Sequence, residues 1–366
     1  MKKIAILSID GGGIRGILPA AVLVTLEGLL QEISGKPDLK IGDFFDLVAG
    51  TSTGGILGCL YLTPGEKPED SKKARYSAQE ALNLYLDHGH EIFDRTLWSE
   101  ITNATGFTGP KYSFEPLYRL LTKFFGDLKL ADLIKPSLIT SYEMAARRAV
   151  FFTSVDARVY PDSNFFVRDV ARATSAAPTY FAPAHIQSMD TKHWSLLDGG
   201  VFANNPALCA YSEALKTDFP KLFPECDKAY PKGAKDMLII SLGTGSVKKS
   251  YHYEDFVHAG EIKWLVPIID ILMSGNSETV DFELKSIYGT LSKSDSTDYY
   301  RLEPALLEAS SDMDLATPDN ISKLKDAGLD FANRNIDTLK EIAHKILDLC
   351  VGAPGEKAAP IAEAAS

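Results

Sequence analysis

The sequence predicts a three-layer α/β protein, a mostly parallel central sheet with helices on both faces. Three observations predict it. Short apolar runs of strand length alternate with longer amphipathic stretches. Those runs are nearly continuous in apolar residues, as in strands covered on both sides. Three of them end in glycine-rich turns, bearing Asp10, Ser52 and Asp198, and ligands in such sheets bind beyond the carboxyl ends of the strands.

The first run, residues 4–9, follows Met1-Lys2-Lys3 and superficially mimics a secretion signal. It stops at Asp10 after six apolar-rich positions, with no small-residue cleavage pattern, and reads better as a core strand. It enters Asp10-Gly11-Gly12-Gly13-Ile14-Arg15-Gly16. A helix is expected from about Pro19, its stripe formed by Leu18, Val22, Leu26, Leu29, Leu30 and Ile33 and its end by Ser34-Gly35. Residues 44–49 form the second strand. Gly50-Thr51-Ser52-Thr53-Gly54 follows, and then a buried helix over 54–62.

Helices are expected over 78–88 and 114–125, with a Gly- and Thr-rich surface loop at 103–110 that could flank a site. Residues 137–143 and 149–153 read as paired strands joined by a turn carrying Arg147 and Arg148. A short helix over 167–173, a strand over 194–197, a helix over 206–216 and a strand over 237–242 come next. Beyond Gly245 the pattern is helical, over 261–274, 278–290 and 319–349. The chain thus divides into a catalytic core over 1–250, a helical segment packed on it over 251–350, and a disordered Ala/Pro/Glu-rich tail over 351–366.

Composition narrows the function. A chain of 366 residues, 45% hydrophobic and 24% charged, has ample material for a core. Its net charge of −11 disfavours nucleic acid and anionic membranes but leaves neutral or zwitterionic lipid surfaces open. No apolar run approaches the ~20 residues of a membrane span. The four cysteines, Cys59, Cys209, Cys226 and Cys350, lack metal-type spacing, and Cys59 and Cys209 read as buried thiols. A cytoplasmic protein without metal or cofactor is the expectation.

The chemistry centres on Ser52. Residues 50–54 fit G-x-S-x-G between a strand and a helix, the setting of a nucleophile elbow. A serine needs a base within hydrogen-bond reach and donors aimed at the developing oxyanion. Gly11, Gly12 and Gly13 offer backbone N–H groups with no side chains in the way. Arg15 adds a cation suited to a phosphate or carboxylate, or else to a structural salt bridge. Thr53, beside the serine, is a further substrate-contacting candidate. Of the seven histidines none follows a strand in a glycine-rich turn, whereas Asp198 of Asp198-Gly199-Gly200 does. Gly11, Gly13 and Gly16 also fit G-x-G-x-x-G, which would make the chain a nucleotide-binding oxidoreductase. Against this, the second strand ends in the serine turn, and Glu32 falls inside the first helix.

Four blocks, Asp10 to Gly16, Gly50 to Gly55, Ala177-Pro178-Thr179-Tyr180-Phe181 and Asp198-Gly199-Gly200, closely resemble the patatin-like phospholipases in order and spacing. The resemblance covers about residues 4–245. It implies a modified α/β-hydrolase sheet and lipid acyl hydrolase activity without a metal. It also implies a Ser52–Asp198 dyad lacking histidine, with Gly11 to Gly13 as the oxyanion hole. A catalytically silent storage or scaffold relative is the other outcome within that family. Residues 264–273 would then be either a lid facing lipid or a core helix.

Overall fold

The computed structural model describes residues 2–93, 109–224, 227–228, 230–245 and 250–349. The expected tail over 351–366, Cys226, Cys350 and positions 103–108 of the expected flanking loop lie outside them.

Strand β1 (Ile4–Ile9) is buried throughout and central. Helix α1 (Ile17–Ser34) follows a single 3₁₀ turn over Gly13–Gly16 and ends at Gly35, which takes the left-handed conformation. Strand β2 (Leu47–Gly50) leads into helix α2 (Thr53–Tyr61). Helices α3 (Ala78–Ile92) and α4 (Glu115–Phe125) come next. Strands β3 (Ser137–Glu143) and β4 (Arg148–Thr153), helix α5 (Val167–Thr174), strands β5 (Ala184–Gln187) and β6 (His193–Asp198) and helix α6 (Ala207–Lys216) complete the middle of the chain. Strand β7 (Met237–Leu242), helix α7 (Glu261–Gly289), strand β8 (Tyr299–Leu302) and helices α8 (Pro318–Arg334) and α9 (Ile336–Leu349) finish it.

The eight strands form one sheet in the order β5-β6-β3-β2-β1-β7-β8, with β4 also paired to β3. Strands β3, β2, β1, β7 and β8 run parallel; β4, β5 and β6 join by antiparallel pairings. Alternation along β1 divides the core. Ala5, Leu7 and Ile9 face the cluster built with α1, α2, α3, α8 and α9, while Ile4 and Ile6 face α6 and the end of α7. Cys59 is buried and Cys209 partly so. The 22-residue stretch Gly13–Ser34 is long and apolar enough to cross a membrane, which the sequence reading denied to any run. Its apolar window is 72% buried in the core.

Strand β5 has no counterpart in the sequence expectation and is defined by its pairing with β6, and other elements differ as well. Residues 44–46 are not strand, because Ile41–Phe44 forms a helical turn closed by Asp43, whose carboxylate accepts from the Lys40 N–H at 2.9 Å. Helix α7 runs unbroken where two helices were expected. The weak helix formers Ser274, Gly275, Asn276 and Ser277 read as a break. Tertiary bonds override that: Asn276 Nδ2 donates to the Phe202 carbonyl at 2.8 Å, and its Oδ1 accepts from the Asn205 N–H at 3.2 Å. Strand β8 lies in a segment read as helical; it is four residues long and gains its identity by pairing with β7.

Candidate active site

The site forms where two strands meet end to end. Gly50 at the end of β2 pairs with Ile139 of β3, and Asp198 at the end of β6 pairs with Ser141. The other edge of β3 is taken by β4 along this whole length, so β2 and β6 share one edge. They run toward each other, and β3 acts as the ruler that sets their separation. The sequence reading brought Asp10, Ser52 and Asp198 together as turns after parallel strands. Asp198 does arrive beside Ser52, but on a strand of opposite direction.

Ser52 has φ 54° and ψ −122°, a conformation that non-glycine residues rarely occupy and that stores on the order of 1–3 kcal/mol. Its neighbours must be glycine. A Cβ on Gly50 would lie 2.2 Å from the Gly54 carbonyl oxygen, and one on Gly54 would lie 2.1 Å from that of Ile9. The Ser52 N–H donates to Thr174 Oγ1 at 2.8 Å, tying the elbow to α5.

Asp198 is buried, and its Oδ1 accepts from the Gly200 N–H at 2.7 Å. Burial pushes its carboxyl up from 3.8 to about 7; hydrogen bonding from the Ser52 hydroxyl and the Gly200 N–H, and the Arg172 charge, hold it from going further. Arg172 itself is buried and lowered to about 10 by desolvation, with Asp198 opposing that shift. Its Nη2 donates to the Ala182 carbonyl at 2.6 Å, and its guanidinium lies 4.8 Å from the centre of the Phe114 ring. A cavity of about 60 Å³ opens over the pair, lined by both together with Gly13, Ile56, Phe181 and Met273 among others.

The glycine turn flanks Ser52: a side chain on Gly11 would begin 3.3 Å from Ser52 Cβ. The three glycines are not equivalent. The Gly11 N–H is spent on the Asn204 carbonyl at 3.1 Å, whereas those of Gly12 and Gly13 have no partner among the described residues. Thr53 lines the cavity, but its hydroxyl donates to Tyr85 Oη at 2.6 Å. Arg15 is buried on a neighbouring cleft rather than on this cavity, beside the Gly245 carbonyl, with Asp270 and Glu303 the main acids acting on it. Asp10 is drawn away from Ser52 by Arg301, with Nη1–Oδ1 2.9 Å and Nη2–Oδ2 2.7 Å. No histidine lines the cavity among the described residues, and no group of three or more His, Cys, Asp or Glu could hold a metal there. Residues 264–273 divide their roles: Ile269 and Met273 line the cavity, while Ile268, Ile271 and Leu272 are exposed.

Arg172, Thr174 and Asn204 were not singled out from the sequence. An arginine on the apolar side of an amphipathic helix, beside Val170, Ala171 and Ala173, and the Asn204-Asn205 pair before Pro206 were the available signals.

Fold and site place the molecule among the α/β proteins that carry a buried serine on a strained strand-to-helix elbow. The family model for patatin-like phospholipase matches residues 7–211. Patatin-like protein 2 of Oryza sativa subsp. indica is 33% identical over 95% of this chain and 84% of its own length. Patatin-like protein 1 of Arabidopsis thaliana is 33% identical over 89% and 80%, and Patatin-T5 of Solanum tuberosum 30% over 92% and 85%. VipD from Legionella pneumophila, a solved structure, aligns at a TM-score of 0.40 and 10% identity over 92% of this chain and 67% of that one. The chain belongs to the patatin-like phospholipase family, and that membership supports lipid acyl hydrolase activity. It displaces the dinucleotide reading of Gly11, Gly13 and Gly16.

Proposed function

We propose that the protein is a serine-dependent lipid acyl hydrolase that cleaves carboxylic esters of phospholipids or related acyl lipids through Ser52 and Asp198. The carrying observation is a serine held in a strained conformation beside a buried carboxylate, under an apolar cavity. Asp198 takes the proton as Ser52 Oγ bonds to the ester carbon. The oxyanion is met by the Gly12 and Gly13 N–H groups, with Gly11 holding the turn in place. Collapse expels the alcohol, which leaves with the proton, and an acyl-enzyme remains. Water then attacks the acyl carbon, giving its proton to Asp198; as the acyl–Oγ bond breaks Asp198 returns that proton to Ser52 Oγ, and the fatty acid departs. The acyl chain lies in the apolar cavity, and exposed Ile268, Ile271 and Leu272 give the transient contact with a lipid surface.

A fluorophosphonate probe tests this. It labels the wild-type protein at Ser52 and leaves Ser52→Ala unlabelled and inactive, while Ser52→Ala keeps the wild-type thermal transition. Substantial ester turnover by Ser52→Ala would sink the nucleophile assignment.

A further inference from the structure

Beside the Ser52 cavity lies a second cleft of about 310 Å³, different in kind. The first has mostly apolar walls; this one is lined by charge. Met273 lines both, so one flexible thioether partitions them. The distance between them is short. Asn204 Oδ1 stands 2.5 Å, and Ser52 Cβ 3.3 Å, from the point where a side chain on Gly11 would begin.

Two buried polar groups on this cleft have no partner among the described residues, Asn204 Oδ1 and Arg15 Nε. Their side chains belong to residues only 6% and 7% exposed. The orientation of Asn204 follows from its neighbours. Its Nδ2 lies 3.4 Å from the Gly11 carbonyl oxygen and 3.0 Å from Ser277 Oγ, so the acceptor end is the one left over. One missing donor and one missing acceptor on the same wall describe a ligand bearing both.

The charges say which. Five carboxylates, Asp10, Asp270, Glu278, Asp281 and Glu303, face Arg15, Lys285 and Arg301, a net of −2. Asp10 is neutralised by Arg301, and Asp281 by Lys285. Among the described residues Glu278 has no hydrogen-bond or ion-pair partner, and the Asp270 carboxylate accepts only from the Tyr251 hydroxyl, at 2.9 Å. A neutral polyol would bring no cation to Glu278 and Asp270. An anionic headgroup would meet them with repulsion, compounded by the chain's net charge of −11.

We propose that this cleft is the headgroup subsite, and that it selects a phospholipid whose headgroup ends in a primary ammonium; this rests on the Ser52 reading above. Arg15 Nε donates to the phosphate, while Asn204 Oδ1 and the Glu278 carboxylate accept from the ammonium, with Asp270 adding charge. A primary ammonium brings N–H donors that satisfy those acceptors, which a quaternary one lacks.

The test compares kcat/KM for phosphatidylethanolamine, phosphatidylcholine, phosphatidylglycerol and a galactolipid of matched acyl chains in neutral-detergent mixed micelles. The wild type is expected to favour phosphatidylethanolamine over each by about tenfold, the worth of one charge-assisted hydrogen bond. Glu278→Gln and Asp270→Asn, at half-buried or exposed positions, are each expected to narrow that ratio severalfold. Turnover of p-nitrophenyl butyrate, which has no headgroup, reports Ser52 separately. Activity on that ester with no headgroup preference, or an unchanged ratio in both variants, overturns the subsite alone. A galactolipid turned over faster than phosphatidylethanolamine overturns the ammonium. Inactivity on every ester removes the Ser52 reading and the subsite with it.

Discussion

Burial raises the Asp198 carboxyl from 3.8 to about 7, and that shift has consequences for both activity and stability. The base must be ionised to accept the Ser52 proton, so kcat/KM on a soluble ester should climb about tenfold per unit below pH 7 and level off above it. Arg172 favours the charged form, so Arg172→Met should carry that limb upward; a limb unmoved by the change counts against the assignment. For stability the native state binds this proton more tightly than the unfolded chain does. Asp198 therefore opposes folding increasingly as pH rises from about 4 to about 7. Asp198→Asn, neutral at every pH, should melt higher than wild type by a wider margin at pH 8 than at pH 5, while losing turnover. A melting difference that is the same at both values would contradict the shift. Ser52 and Asp198 were legible because each sits in a turn whose chemistry is local. Arg172 was not, since its partner Asp198 is brought to it by the sheet. Arg15 was legible as a cation suited to a phosphate or carboxylate, but the cleft it faces was not, because α7, far along the chain, builds that cleft.

Turns and helices carry predictions of their own. A Cβ on Gly12 would sit 2.2 Å from Oγ1 of Thr244, whose hydroxyl donates to the Gly11 carbonyl at 2.7 Å. Gly12→Ala must therefore move the turn. With one oxyanion donor displaced, kcat is expected to fall by roughly 10²–10³ at nearly constant KM; unaltered kcat would dismiss Gly12 as a donor. Gly275 lies inside α7 with open space around its missing side chain. Gly275→Ala should stabilise the protein by about 0.4–1 kcal/mol, read as a higher urea midpoint at unchanged slope. The strands buried on both faces, β1 and β7, were legible from apolar runs alone. Strand β8 was not: Tyr299-Tyr300-Arg301-Leu302 has no such run, and it is defined by the β7 edge it pairs with and by the Asp10 carboxylate waiting for Arg301.

At the scale of the whole molecule, the last hundred residues complete what the first hundred begin. Strand β8 closes one edge of the sheet, and α8 and α9 pack on α1. A fragment ending at residue 250 should therefore show no cooperative thermal transition, and sharp two-state melting by that fragment would refute this dependence. The same arrangement has a meaning in time. Synthesis delivers α1 and then α3, which covers part of it, but α8 and α9, which cover the rest, follow only some three hundred residues later. Until they arrive the nascent polypeptide leaves uncovered part of an apolar helical stretch of membrane-spanning length. Holdase chaperones that engage such surfaces should govern how much protein each translated message yields.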